Sequence, residues 1–142
     1  MAFFRHIAVA AVLAAIAMPA MAAEQLTVYR SPSCGCCLGW VKYLKVKGFD
    51  ATVETSDDMG AVKARLHVPG DMQSCHTAVI AGYVVEGHVP VEAIVKLLAE
   101  RPAVTGIAAP GMPQGSPGMS GAKEHFEVYS FGPSGVAPFM AF

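Results

Sequence analysis

The chain has 142 residues, 54% of them hydrophobic and 15% charged, with 10 Lys and Arg against 11 Asp and Glu. This is enough for one small domain plus extra segments, and too apolar for a disordered polyanion or polycation. The near-neutral, scattered charge lacks the basic stripe that a nucleic-acid partner selects, so no nucleic acid is expected.

Part of the apolar excess lies at the start. Arg5 and His6 precede the run Ile7 to Met18, Pro19 breaks it, and Ala20-Met21-Ala22 offers the small residues that a signal peptidase reads. The run of roughly a dozen residues is short of the roughly 20 that span a bilayer. Residues 1–22 are therefore read as a cleaved signal peptide. The mature chain would be exported, without membrane attachment after cleavage, and would keep all four cysteines, Cys34, Cys36, Cys37 and Cys75, in an oxidising compartment.

Leu26 to Arg30 is β-prone and ends at Ser31-Pro32; Leu38, Val41, Leu44 and Val46 then give a helical apolar pattern stopped by Gly48. Trp40 on that helix is read as a core residue, with shielding of the neighbouring thiols as the alternative. Phe49 to Glu54 reads as a second strand, and Asp57-Asp58 opens a helix with Met59, Val62 and Leu66 on one face. After the turn signal Val68-Pro69-Gly70, the runs Thr77 to Ile80 and Tyr83 to Glu86 flank Ala81-Gly82 as a hairpin. Pro90 leads into a helix ending at Arg101, with Val91, Ile94, Val95, Leu97 and Leu98 as its core face.

The order β-α-β-α-β-β-α predicts an α/β, thioredoxin-like fold over residues 23–102. Its first strands should pair in parallel through crossover helices, and the hairpin should form an antiparallel edge. Residues 103–142 form an extension: a Gly/Pro/Met-rich loop from Ala103 to Gly121, a possible strand at 126–131, and an apolar tail from Gly132 that carries no functional signal.

Three cysteines sit at the first strand-to-helix turn. Thiolates at a helix N-terminus are stabilised by its free N–H groups and dipole, so this turn is a candidate redox and soft-metal site. Cys34 and Cys37 form a Cys-x-x-Cys frame in a βαβ setting, which suggests thioredoxin-type exchange. Those two would be the catalytic pair if the turn is redox-active.

Two structural disulfides are the plain alternative. Of the three pairings, direct Cys36–Cys37 closure strains the bond geometry, leaving Cys34 with Cys37 or Cys34 with Cys36 as local options. The additional Cys36 invites scrambling in a relay but is one more thiolate donor for Cu(I) or Zn(II). If Cys36 and Cys37 are already helical, their side chains diverge by about 100°. That suits several Cu(I) ions bridged by thiolates better than one ion.

In a thioredoxin-like topology the loop before the third strand lies beside the cysteine turn, so Cys75 and His76 should face it. Met112 and Met119 are soft thioether donors in an aperiodic loop, hence lower-ranked ligand candidates. His88, closing the hairpin in Glu86-Gly87-His88, is read first as structural and second as a ligand. His67 and His125 are read as surface residues.

These motifs resemble the small exported copper-resistance proteins of the CopG type, long catalogued as a domain of unknown function. The resemblance rests on Ser33-Cys34-Gly35-Cys36-Cys37 with Trp40, Ser74-Cys75-His76-Thr77-Ala78, Glu86-Gly87-His88-Val89-Pro90, and Pro110-Gly111-Met112-Pro113 with Gly115-Ser116-Pro117-Gly118-Met119. It covers roughly residues 26–131.

The resemblance implies a thioredoxin-like periplasmic protein that binds copper through Cys34, Cys36, Cys37 and Cys75, with a polynuclear Cu(I) cluster as one form. His76 is the next ligand, and the implied partners are other periplasmic copper-handling or redox proteins. Ser120-Gly121 stands where that family usually has an acidic residue after the second methionine, and the last eleven residues are unusually apolar. The rival reading is a metal-free thiol–disulfide oxidoreductase, in which Cys34 attacks and Cys37 resolves. A third is a disulfide-held domain that presents its tail to a partner.

Overall fold

Strand β1, Gln25–Arg30, alternates so that Leu26, Val28 and Arg30 point to one buried face of the sheet. The computed structural model describes residues 24–142; the proposed signal peptide lies outside the described residues. After β1 come α1 (Gly35–Val46), β2 (Asp50–Thr55), α2 (Met59–Arg65), β3 (His76–Ile80), β4 (Tyr83–Glu86), α3 (Val91–Glu100), β5 (Gly106–Ala108), β6 (Glu127–Gly132) and β7 (Gly135–Ala141). The first seven elements are the expected thioredoxin-like β-α-β-α-β-β-α order. They continue into one mixed sheet with strand order β2-β1-β3-β4-β5-β6-β7.

β1 and β2 pair in parallel across α1, while β3 runs antiparallel to β1 and places His76 opposite Arg30. The β3–β4 hairpin turns on Ala81 and Gly82, both at positive φ (48° and 85°), the backbone that a two-residue hairpin loop requires. The hairpin is not the sheet edge expected from sequence. α3 acts as a second crossover, and β5 pairs in parallel with the outer side of β4. β6 and β7 complete the sheet as an antiparallel pair, so the supposed loop contains a strand at 106–108 and the unread tail supplies another.

One face of the sheet is covered by α1 and α3, where Trp40, Val41, Leu44, Ile94 and Leu97 pack on Leu26, Val28, Ile80 and Val85. A smaller cluster of Val68, Met72, Val84, Ala108 and Phe131 lies apart from it. The buried stripe of α1 is Cys37, Trp40, Val41 and Leu44, at helical spacing. Leu38 and Val46, expected on that stripe, are 49% and 78% exposed, and Val95 of α3 is likewise exposed. At about 100° per residue, Leu38 falls to the side of its stripe, and Val46 and Val95 fall roughly on the opposite face from theirs. Asp58 caps α2 by accepting a hydrogen bond from the Ala61 N–H at 2.8 Å.

Candidate metal and redox centre

The cysteine turn leaves β1 at Arg30 and enters α1 at Gly35, with Cys34 as the residue before the helix. Arg30 is buried under it. Its guanidinium donates to the carbonyl of Pro32 at 3.1 Å and to that of Cys34 at 3.3 Å, fixing the turn from below. Cys34 and Cys37 are joined by a disulfide; Cys34 is half-buried and Cys37 fully buried. Of the two local pairings left open by sequence, this is the one the structure contains. Cys36 and Cys75 are free and half-buried.

The free thiols continue a line of sulfur atoms. Cys36 Sγ lies 3.5 Å from Cys34 Sγ and 3.8 Å from Cys75 Sγ. Cys75 Sγ is in turn 3.4 Å from His76 Nδ1 and 3.2 Å from His88 Nε2. Donor atoms therefore fall into two groups, Cys34-Cys36-Cys37-Cys75 and Cys75-His76-His88, each with its members within 4.8 Å of one another and with Cys75 common to both.

Both histidines are held in defined orientations. His88 Nδ1 lies 2.8 Å from the Pro117 carbonyl, which can only accept, so Nδ1 carries the proton. The neutral ring then presents the bare Nε2 lone pair to Cys75. His76 is packed between Trp40 and His88, with ring centroids 4.5 and 4.9 Å away, and its Nε2 is buried without a hydrogen-bond partner. Burial, then the neighbouring His88, then Lys63, push its pKa down to about 3. Burial also lowers His88, against the opposing pull of the Pro117 carbonyl. Burial and the adjacent Cys36 raise Cys75 to about 11. Two neutral imidazoles whose His76 Nδ1 and His88 Nε2 face the Cys75 sulfur fit a soft, thiophilic cation, because such an ion would displace the thiol proton and take the imidazole lone pairs beside it.

The four cysteines stand in one group, two of them as a disulfide, and His76 meets that group through Cys75. A family described as a protein of unknown function, DUF411, matches residues 72–119. Two solved structures of the copper resistance protein CopG, form 2 and form 1, superpose with TM-scores of 0.80 and 0.79. Each is 44% identical over 84% of this chain and 98% of the other. The chain belongs to the CopG family. No curated protein matches it. The matched segment contains Cys75, His76, His88, Met112 and Met119 and lies after the cysteine turn.

The methionine loop is fastened at both ends. The Ser74 hydroxyl donates to the Gly111 carbonyl beside Met112. At the other end Gly118, at φ +84°, lies so close to α1 that a Cβ there would stand 2.8 Å from Trp40 Cα and 2.9 Å from the Gly39 carbonyl carbon. Met112 is exposed and Met119 half-buried. His67 and His125 are exposed and stand in neither donor group, as read.

Sequence reasoning missed the support on the opposite side. Lys63 and Glu86 form a buried ion pair; the Lys63 ammonium also donates to Thr77 Oγ1 at 3.0 Å, and Thr77 donates to Glu86 Oε2 at 2.6 Å. Glu86 Oε1 accepts from the Ser74 N–H at 2.7 Å, so this carboxylate fixes the backbone just before Cys75 and, through its own chain, Gly87-His88. The available signal was a lysine in the apolar phase of α2 and a glutamate ending the apolar run of β4.

Proposed function

We propose that the protein is a periplasmic copper-handling protein of copper resistance that carries Cu(I) on its thiolates and imidazoles. The observation that carries this reading is the sharing of Cys75 Sγ between the two donor groups. A single sulfur common to both favours bridging, and bridging thiolates let several soft d¹⁰ ions share one small site. In this reading Cys34, Cys36, Cys37 and Cys75 hold a polynuclear cluster, with His76 and His88 completing it and Met112 and Met119 supplying rim thioethers. No helix among the described residues is long and apolar enough to cross a membrane.

The Cys34–Cys37 disulfide gates occupancy. A dithiol reductant supplies two electrons and two protons, becomes a disulfide itself, and frees both thiols. Cu(I) displaces the thiol protons as it binds. Reoxidation by a disulfide partner removes two thiolates and releases their copper, because a disulfide sulfur is a poor ligand. Trp40 and the fastened loop limit water at the buried side, and Arg30 holds the turn through either state.

The test is copper analysis of mature protein that has been reduced, loaded anaerobically with Cu(I) and desalted. More than one copper per chain, collapsing in Cys75→Ser, is expected; a chain that retains none overturns the reading. Unchanged copper in Cys36→Ser would reduce the site to a two-thiol frame. One observation favours a second reading, thiol–disulfide oxidoreductase: Cys34 is half-exposed while Cys37 is buried, the asymmetry of an attacking and a resolving thiol. Efficient exchange without retained copper would select it.

A further inference from the structure

We infer that Cys36 and Cys75 are a second redox pair, which closes into a disulfide by exchange through Cys34. The two thiols are the free cysteines of the chain, and their sulfurs already touch at 3.8 Å. Closing them to a bond of about 2 Å requires the sulfurs to approach by the remaining gap. The link would join the first turn of α1 to the residue just before β3, two elements that β1 already holds side by side. Cys34 Sγ, 3.5 Å from Cys36 Sγ, connects the new pair to the existing disulfide.

The exchange balances without a metal. The Cys36 thiolate attacks Cys34 Sγ, forming Cys34–Cys36 and releasing the Cys37 thiolate. Cys75 then attacks Cys36 Sγ, forming Cys36–Cys75 and releasing Cys34. Cys34 and Cys37 reoxidise against an external disulfide of the glutathione class, which leaves as two thiols carrying the displaced protons. The net reaction moves two electrons from Cys36 and Cys75 to that disulfide. The protein then has three redox states, with four, two or no free thiols.

Formation of the second pair stands on geometry alone, whereas its effect on copper rests on the function proposed above. With only Cys34–Cys37 closed, Cys36, Cys75, His76 and His88 remain as donors; closing Cys36–Cys75 removes the sulfur shared by both groups. Copper is therefore released in two stages.

The experiment oxidises reduced, metal-free mature protein with glutathione disulfide, traps residual thiols with N-ethylmaleimide and maps disulfides by mass spectrometry. The expected end point is unlabelled protein, lighter by the hydrogens of two disulfides, with a Cys36–Cys75 peptide. Cys34→Ser/Cys37→Ser should form the same link about tenfold more slowly for want of the relay. Persistent labelling of Cys36 and Cys75, or glutathione adducts at both, overturns the inference, and an unchanged rate in the double variant overturns the relay. Copper is measured in each state in parallel. A mapped Cys36–Cys75 link in a protein that retains copper in no state would leave the second pair standing and sink the copper reading instead.

Discussion

Replacing Lys63 by Met and Glu86 by Gln, singly and together, isolates the buried pair that backs Cys75. Both side chains are removed from water, at 6% and 0% exposure. Glu86→Gln keeps an acceptor for the Ser74 N–H but leaves the Lys63 ammonium facing only Thr77 and an amide. Lys63→Met leaves Glu86 with its Thr77 and Ser74 donors and no cation. Removing one partner of such a pair costs about 3–5 kcal/mol, whereas replacing both with neutral groups of similar volume is near neutral.

The double variant should therefore be about as stable as the parent, giving a favourable coupling of roughly 6 kcal/mol or more between the sites. Guanidinium unfolding of the oxidised, metal-free protein measures it, with the slope checked for constancy. Burial raises the Glu86 carboxyl against the pull of Lys63. Once that pull is removed, the carboxyl is raised further above its unfolded value, so Lys63→Met should lose stability as pH rises from the unfolded carboxyl range through the raised folded value. Singles that each cost under about 1 kcal/mol and add in the double would refute the argument that this pair is coupled and desolvated.

The metal-free protein should also be acid-sensitive through His76. Its folded pKa of about 3 lies below the unfolded 6.5, so its contribution is intact above pH 6.5 and is lost as pH falls toward 3. The loss approaches about 1.4 kcal/mol per pH unit, and His76→Gln should flatten that slope in denaturant melts at several pH values. Gly118→Ala forces a left-handed alanine against α1, costing about 1–2 kcal/mol from the backbone conformation alone. It should lower the thermal midpoint and weaken the His88–Pro117 hydrogen bond, visible in the imidazole nitrogen shifts.

The thioredoxin-like half of the chain was legible because its strands and helices carry their own punctuation: Ser31-Pro32 before α1, Asp58 capping α2, Ala81-Gly82 between β3 and β4. Cys75 and His76 were placed by topology once that order was read. The extension was harder. β5 is three residues long, and β7 contains Pro138, so neither has a local signal strong enough to outweigh its Gly/Pro surroundings. β5 is made a strand by pairing with β4 and β6, both distant in sequence, and β7 by closing a hairpin on β6. The Lys63–Glu86 pair was illegible for the same reason, since 23 residues separate its partners and no periodicity links them. His88 carried too little context in sequence to reveal that its Nε2 meets Cys75.

The hydrogen bond from His88 to Pro117 bears on how much of the chain counts as the site. Residues up to Pro102 contain every cysteine and both histidines of the two donor groups. Cut there, the chain would keep the full inventory of atoms but lose the carbonyl that decides which nitrogen of His88 is a Lewis base. The ring could then turn its N–H toward Cys75 and become a competitor for the sulfur lone pairs. Residue 117, which offers no side-chain donor at all, thus sets which nitrogen an imidazole 29 residues earlier turns toward Cys75.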